Sequence, residues 1–415
     1  MFKAKIKREI VKNRRRIKKL GPGIITGGAG DDPAGIVTYT IVGATTGFSQ
    51  LWLLLLSTPM MVALQNAVSQ IAIVTGKSLP EITTAFYSKK VTIFIVLFLA
   101  IANILTIGAD LNGVAAVLHI LTGYDTIYFL FPITAFIVGL ILFGAYRVIK
   151  RFFITLSIVL IIYIIAAFLA KPDISQLFVN TFIPHIQWQS AWILAALGLL
   201  GTTISPYILF WQAAEEREEK KSVVQADEVT FDTVIGMVYS NLLAYSMIVT
   251  GALMLYGKGN IESVEQLALA LKPVAGSYSF VIFTLGIIVS GFLAIPVLAG
   301  STAYAVADTF GWREGMDNKV SNAKGFYFVF VGALIFGNII DMIPEISVVD
   351  ALYYSQIFDG FLIPVLIVIT LLIANNREIM GNYTASKFTN IFSLFTFIVT
   401  LFLAFYTIYS LLKDL

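Results

Sequence analysis

Two stretches of this sequence place polar, backbone-freeing residues inside strongly apolar segments. Gly30-Asp31-Asp32-Pro33-Ala34-Gly35 interrupts the first, and Gly201-Thr202-Thr203-Ile204-Ser205-Pro206 interrupts the sixth. A carboxylate at the middle of a membrane span costs about 2.5–3.5 kcal/mol on the insertion scale. Proline and glycine also leave carbonyls without helical partners. Stability asks for none of this, but cation binding does. Carboxylate, hydroxyl and free carbonyl oxygens are hard donors, and two broken helices in matching places of two halves point to a transporter's binding site.

The other ionisable residues agree with a cation path. Asp31, Asp32, Asp110, Asp232 and Asp359 fall within apolar segments, Asp308 and Asp341 near segment ends, and no Lys or Arg deep in any of them. Buried acids without buried bases need cations, protons or water as partners. Each acid also has a plainer reading. Asp232, Asp308 and Asp341 fit interfacial charges, Asp110 a protonated hydrogen-bond donor, and the Asp31/Asp32 pair a helix cap at a kink. One acid would suffice for that cap. Asp359 stands three residues after Gln356, on the same helix face.

Other chemistry is excluded by composition. There are no cysteines and only two histidines, His119 and His185, both expected at the interface or in solvent. Disulfides, thiolate metal sites and a His-rich metal centre therefore fall away. No nucleophile–base constellation, phosphate loop or metal-hydrolase spacing occurs, so no enzyme is expected, nor any cofactor. A passive channel would need a continuous pore, which a pair of broken helices suits less well than a closed site.

The elements that must position these residues are membrane helices. Of 415 residues, 58% are hydrophobic and 13% charged, and the mean hydropathy is +0.86; a chain this apolar needs lipid as its solvent. Eleven apolar segments can span a bilayer, at approximately 24–46, 51–74, 91–120, 127–145, 152–170, 191–214, 231–256, 278–306, 326–340, 348–374 and 388–412. Residues 1–20 carry ten Lys or Arg against one acid, Glu9. With this tail inside and the spans alternating, 24 of the 28 Lys and Arg fall inside, leaving Lys171, Lys258, Lys272 and Lys413 outside. The positive-inside rule thus predicts a cytoplasmic N-terminus and an outward C-terminus. Eleven divides as five, five and one, with the breaks opening each half, which suggests an inverted repeat around a central site. The expected divisions are a basic cytoplasmic tail at 1–20, a ten-helix core at 21–375, and a cytoplasmic loop with the eleventh helix at 376–415. Nothing points to nucleic acid or an obligate protein partner; the lipid bilayer is the expected surrounding.

The motifs carry a family resemblance. Gly21-Pro22-Gly23 followed by Asp32-Pro33-Ala34-Gly35 resembles the first span of the Nramp (natural resistance-associated macrophage protein) divalent-metal transporters, which carry Gly-Pro-Gly and then Asp-Pro-Gly-Asn. Thr202-Thr203-Ile204-Ser205-Pro206-Tyr207 resembles their Ala-x-x-Met-Pro-His segment. Ser355-Gln356, Leu362-Ile363-Pro364 and Met380-Gly381 resemble their tenth span and the Met-Gly beyond it, and Asp110-Leu111 matches an acid of their third span. The resemblance implies a leucine-transporter-like all-α fold in a bacterial-type cell membrane. It also implies alternating access for a divalent metal ion as substrate.

Carried over residue by residue, the metal ligands would be Asp32, Ser205, Gln356 and the carbonyls of Ala29 and Thr202, with Asp31 as an added acid. Asp110, Asp359 and Tyr207 would line a proton or cation path. The chain departs from the pattern where Gly35 replaces an asparagine, Ser205 a methionine, Tyr207 a histidine and Gly113 an acid; an arginine pair of the ninth span has no counterpart. Losing the soft thioether should weaken selection of transition metals over Mg²⁺ and Ca²⁺. Proton coupling is left open. A competing reading keeps the fold but makes the substrate an amine or amino acid, with Ser205, Tyr207 and Trp211 lining its pocket and a coupling cation at the first break.

Overall fold

The computed structural model describes residues 27–143, 146–259, 261, 263–268, 279–316, 318–340 and 346–413. The basic tail, the Gly21-Pro22-Gly23 motif, Lys272 and Asp341 lie outside the described residues. Among the described residues the chain is helical, with no strand. Among these described residues, eight helical stretches are long and apolar enough to cross a membrane, two of them (Arg151–Leu169 and Ser190–Glu218) running across a break, and two further apolar helices are shorter.

In chain order the elements are α1 (Pro33–Thr46), α2 (Leu51–Thr75), α3 (Leu79–Phe86), α4 (Lys89–Thr122), α5 (Ile127–Phe143), α6 (Tyr146–Val159), α7 (Ile162–Leu169), α8 (Ile174–Phe182) and α9 (Ser190–Thr203). They continue with α10 (Pro206–Glu218), α11 (Ala226–Leu255), α12 (Val264–Ala268), α13 (Ser279–Phe310), α14 (Lys324–Ile340), α15 (Val348–Ala374), α16 (Arg377–Met380) and α17 (Lys387–Lys413).

Both expected breaks are present, with the same local cause. Asp32 has extended backbone (φ −66°, ψ 170°) and caps α1, whose first residue is Pro33. Ser205 (φ −48°, ψ 126°) precedes Pro206, the first residue of α10. Proline suits a helix's first turn and pushes the residue before it out of helical geometry. Each proline therefore ends one half-helix and starts the next. A helical turn at 27–29 is what is described of the first half of the first segment.

The fifth segment holds a break that no proline or glycine announces. Between α6 and α7 the ladder tightens: Leu160 N–H bonds the Ser157 carbonyl (3.3 Å) and Ile161 N–H the Ile158 carbonyl (3.2 Å), both three residues back. Such 3₁₀ stretches inside a helix mark strain or a hinge.

Helix α9 lies directly on α15. A Cβ added at Gly201 would stand 1.9 Å from the Gln356 carbonyl oxygen and 2.9 Å from the Gly360 nitrogen. Only glycine allows this approach, the small-residue device by which membrane helices pack closely. It brings the end of α9 against the residues of α15 that matter most.

The end of α10 corrects one expectation. Arg217, beyond the expected end of the sixth segment at about 214, lies in the helix and is largely buried. It pairs with Asp308 at the end of α13 (3.0 Å), Glu314 beyond it (3.0 Å) and Glu81 of α3 (3.3 Å). Asp308, expected near the end of its segment, is thus an ion-pair partner. Glu218 accepts from the Tyr304 hydroxyl (2.7 Å) and the Met316 N–H (2.9 Å), tying the same elements together. Asp232 is buried too, within electrostatic reach of Lys221.

Three acids around one guanidinium cannot all be neutralised. Burial, then the hydrogen bond and charge of Asp308, push the Glu314 carboxyl up to about 9. An acid held protonated in the folded state stabilises the fold at low pH and loses that contribution as pH rises from the unfolded value toward 9. The thermal midpoint of the detergent-solubilised protein should therefore fall from pH 6 to pH 9, and the fall should shrink in Glu314→Gln. Equal slopes in the two proteins would refute this account.

Candidate metal site

At the first break the Asp32 carboxylate does two things. Oδ1 accepts the Gly35 N–H at 2.5 Å, an N-cap bond, while Oδ2 lies 3.4 Å from the Tyr207 hydroxyl. Asp110, on α4, accepts the Ala34 N–H at 2.9 Å. Two carboxylates thus meet the positive end of α1, as helix electrostatics favours. Asp110 anchors the half-helix from outside it, a task that its expected place on an ion path did not foresee.

The negative ends of the other two half-helices converge on the same region. The Ala29 carbonyl accepts the Tyr207 hydroxyl at 2.6 Å, and the Thr202 carbonyl accepts the Ser205 hydroxyl at 2.5 Å. Both expected carbonyl ligands therefore already hold a hydroxyl, each with a second lone pair to offer. Gly35 faces Thr202 so closely that a Cβ would stand 2.7 Å from its Oγ1 and 2.8 Å from Asp32 Oδ1. The space that an asparagine side chain would occupy is taken by a threonine hydroxyl, which has no hydrogen-bond partner.

Helix α15 supplies two more groups. Gln356 and Asp359 are fully buried, and Gln356 Oε1 and both Asp359 oxygens have no hydrogen-bond partner. Asp359 is within electrostatic reach of Asp32 and Tyr207. Expected from the sequence on a proton or cation path, it is fully buried three residues from Gln356. Buried oxygens without donors are costly unless something positive comes to them.

The neighbour Asp31 turns elsewhere. It too is fully buried with both oxygens unpartnered, but the side chain facing it is Ser240 of α11. The two adjacent acids meet different side chains while staying within electrostatic reach of one another. Among the described residues no three His, Cys, Asp or Glu side chains gather as a metal centre, so any ion here must rely on carbonyl, hydroxyl and amide oxygens as well.

Asp31, Asp32, Ser205, Tyr207, Gln356 and Asp359 are all at most 1% exposed, so the site is closed to solvent. On one side, cavities of about 510 and 920 Å³ approach it. The larger is lined by Thr45, Leu194, Tyr256 and Tyr353, the smaller by Asn112 and Ser355, and both by Asp350. The opposite end is held by Arg217 and its acids. Tyr207 joins the two broken segments across the centre. Removing its hydroxyl in Tyr207→Phe frees oxygens of Ala29 and Asp32 from a bond worth about 1 kcal/mol. Divalent-metal affinity by calorimetry should rise about threefold to fivefold; a tenfold loss would make Tyr207 a ligand instead.

The chain matches known proteins over most of its length. The chain is 25% identical over 413 residues to the "Divalent metal cation transporter MntH" of Caldanaerobacter subterraneus, covering 91% of each. It is 27% identical to the protein of that name from Staphylococcus haemolyticus, covering 95% of this chain and 92% of that one. Its fold resembles the Eremococcus coleocola manganese transporter, crystallised with an aromatic bis-isothiourea compound, at a TM-score of 0.74 and 17% identity over 94% of this chain and 85% of that one. It also resembles Mhp1, a nucleobase-cation-symport-1 family transporter in a closed conformation, at a TM-score of 0.60 and 12% identity, covering 95% and 93%. The family model described as natural resistance-associated macrophage protein-like matches residues 23–410, and the chain belongs to that family.

Proposed function

We propose that this protein is a secondary transporter that carries divalent metal cations across the membrane by alternating access. The observation that carries the reading is the convergence of two half-helix C-termini, at Ala29 and Thr202, on a buried Asp32 with no buried base beside it. Negative helix ends and a carboxylate suit a cation. Asp32 is the principal ligand; the Ala29 and Thr202 carbonyls, the Ser205 hydroxyl and the Gln356 amide oxygen complete the shell, and Asp359 adds a second carboxylate. Eight long apolar helices, two shorter ones and the broken first segment together make eleven spans, with the N-terminus cytoplasmic and the C-terminus outside.

The donors are all oxygen, which favours hard ions more than a sulfur-containing site would. Uptake into liposomes across a panel of Mn²⁺, Fe²⁺, Mg²⁺ and Ca²⁺, with internal pH followed, tests substrate and proton coupling together. Uptake of none of these ions would sink the reading. Ser205→Met restores a soft donor and should raise the affinity ratio of Mn²⁺ to Mg²⁺ at least tenfold; an unchanged ratio would remove Ser205 from the shell. An amino acid substrate is disfavoured, because Asp32 and Asp359 would face its carboxylate.

A further inference from the structure

The Asp31 side chain is a buried acid that the metal site does not use. It is fully buried, and both its oxygens lack hydrogen-bond partners. Its surroundings come from helix packing. A Cβ at Gly27 would stand 2.3 Å from the Gly236 carbonyl of α11, so the two backbones touch there. Four residues further along each chain segment come Asp31 and Ser240, which face one another without reaching hydrogen-bond geometry. A Cβ at Gly28 would in turn strike Ser157 Oγ of α6 at 2.2 Å, bringing the interrupted fifth segment to the same place. Tyr163 of α7 adds a buried hydroxyl with no hydrogen-bond partner, within electrostatic reach of Asp31. Asp32 and Tyr207 of the metal site, Tyr39 of α1 and Tyr239 of α11 are the other titratable groups within that reach, and Tyr239 donates to the Ser157 carbonyl.

A buried carboxylate with neither base nor donor is costly, and inside a membrane such a residue by default marks an ion or proton route. Among the described residues the side chains facing Asp31 here are hydroxyls, so a single positive charge balances its carboxylate. We propose that Asp31, Ser240 and Tyr163 form a second cation site, separate from the Asp32 site, that takes a monovalent ion, sodium. Hydroxyl and carboxylate oxygens are donors for a hard cation. The site lies at the first break, where helix movement during alternating access would open or close it. Sodium binding there stands independently of the metal reading; a role as coupling ion rests on that reading.

Binding of ²²Na⁺ to the purified full-length protein, with no divalent metal present, tests the proposal directly. Wild type should bind saturably. Asp31→Asn and Ser240→Ala should each weaken binding at least tenfold, while Asp32→Asn should retain it within about threefold. Mn²⁺ binding by calorimetry should show the reverse dependence, lost in Asp32→Asn and kept in Ser240→Ala. Absence of saturable sodium binding in wild type overturns the proposal, as does binding that depends on Asp32 and not on Asp31. Ser240→Ala keeps the test open if Asp31→Asn does not fold. Should none of Mn²⁺, Fe²⁺, Mg²⁺ and Ca²⁺ bind while sodium binding depends on Asp31, the metal reading falls and this one stands.

Discussion

Asp32→Asn should reduce divalent-metal uptake by more than a hundredfold while leaving the protein as stable as wild type. Asp32 is fully buried and joins two roles, a cap for α1 and a charge for the ion. Asparagine caps a helix about as well as aspartate, so this substitution removes the charge and keeps the cap. Losing the partner of a buried charge costs about 3–5 kcal/mol, and each 1.4 kcal/mol is tenfold in affinity. Asp32→Ala removes both roles and should in addition lower the thermal midpoint, since a lost cap costs about 1 kcal/mol. Uptake in proteoliposomes and thermal unfolding in detergent separate the two. If Asp32→Asn kept uptake within threefold of wild type, the ion would have to bind elsewhere.

A second large effect is expected from Gly201→Ala, a change of one methyl group at a residue that touches no ion. The added Cβ would lie 1.9 Å from the Gln356 carbonyl oxygen, where ordinary contact begins near 3.4 Å, so α9 and α15 must separate by about 1.5 Å. The atoms it meets are backbone, which cannot swing aside. Overpacking of this kind costs about 1–3 kcal/mol. It also moves Thr202, the next residue, away from Gln356, so two proposed donors lose their common centre. Divalent-metal affinity should fall at least tenfold and the thermal midpoint by several degrees. Neither change in Gly201→Ala would mean that the two helices do not meet this closely. Gly360→Ala, whose Cβ would strike Leu197, should lower stability with a smaller effect on affinity.

The place of the site was legible in the sequence because its causes are local. Pro33 and Pro206 stand near glycines and beside the polar residues Asp32 and Ser205 that directly precede them, a combination that favours a local break, whereas Pro59, Pro132, Pro296 and Pro364 stay inside helices. Burial was legible for the same reason, since the segments around both breaks are apolar. The tight turn at Leu160-Ile161 was not, for no proline or glycine stands there; the flanking helices impose it. The reach of α10 past residue 214 was not legible for a related reason. A charged Arg217 ends an apolar segment, whereas Asp308, Glu314 and Glu81, distant in sequence, make a buried position tolerable.

What the sequence determined by itself is that two apolar segments break, which acids lie at the breaks, and that no base accompanies them. Only the tertiary structure decided how those acids divide. Asp31 and Asp32 are neighbours in the chain, yet one faces Ser240 and the other Tyr207 and α15. Helical periodicity assigns side chains to faces only while the helix continues; at a break the backbone torsions set each direction separately. The partners are set by glycine contacts such as Gly27 on Gly236 and Gly201 on Gln356. Those contacts join residues far apart in the chain, and the pairing of distant helices is not written in the spacing of either one.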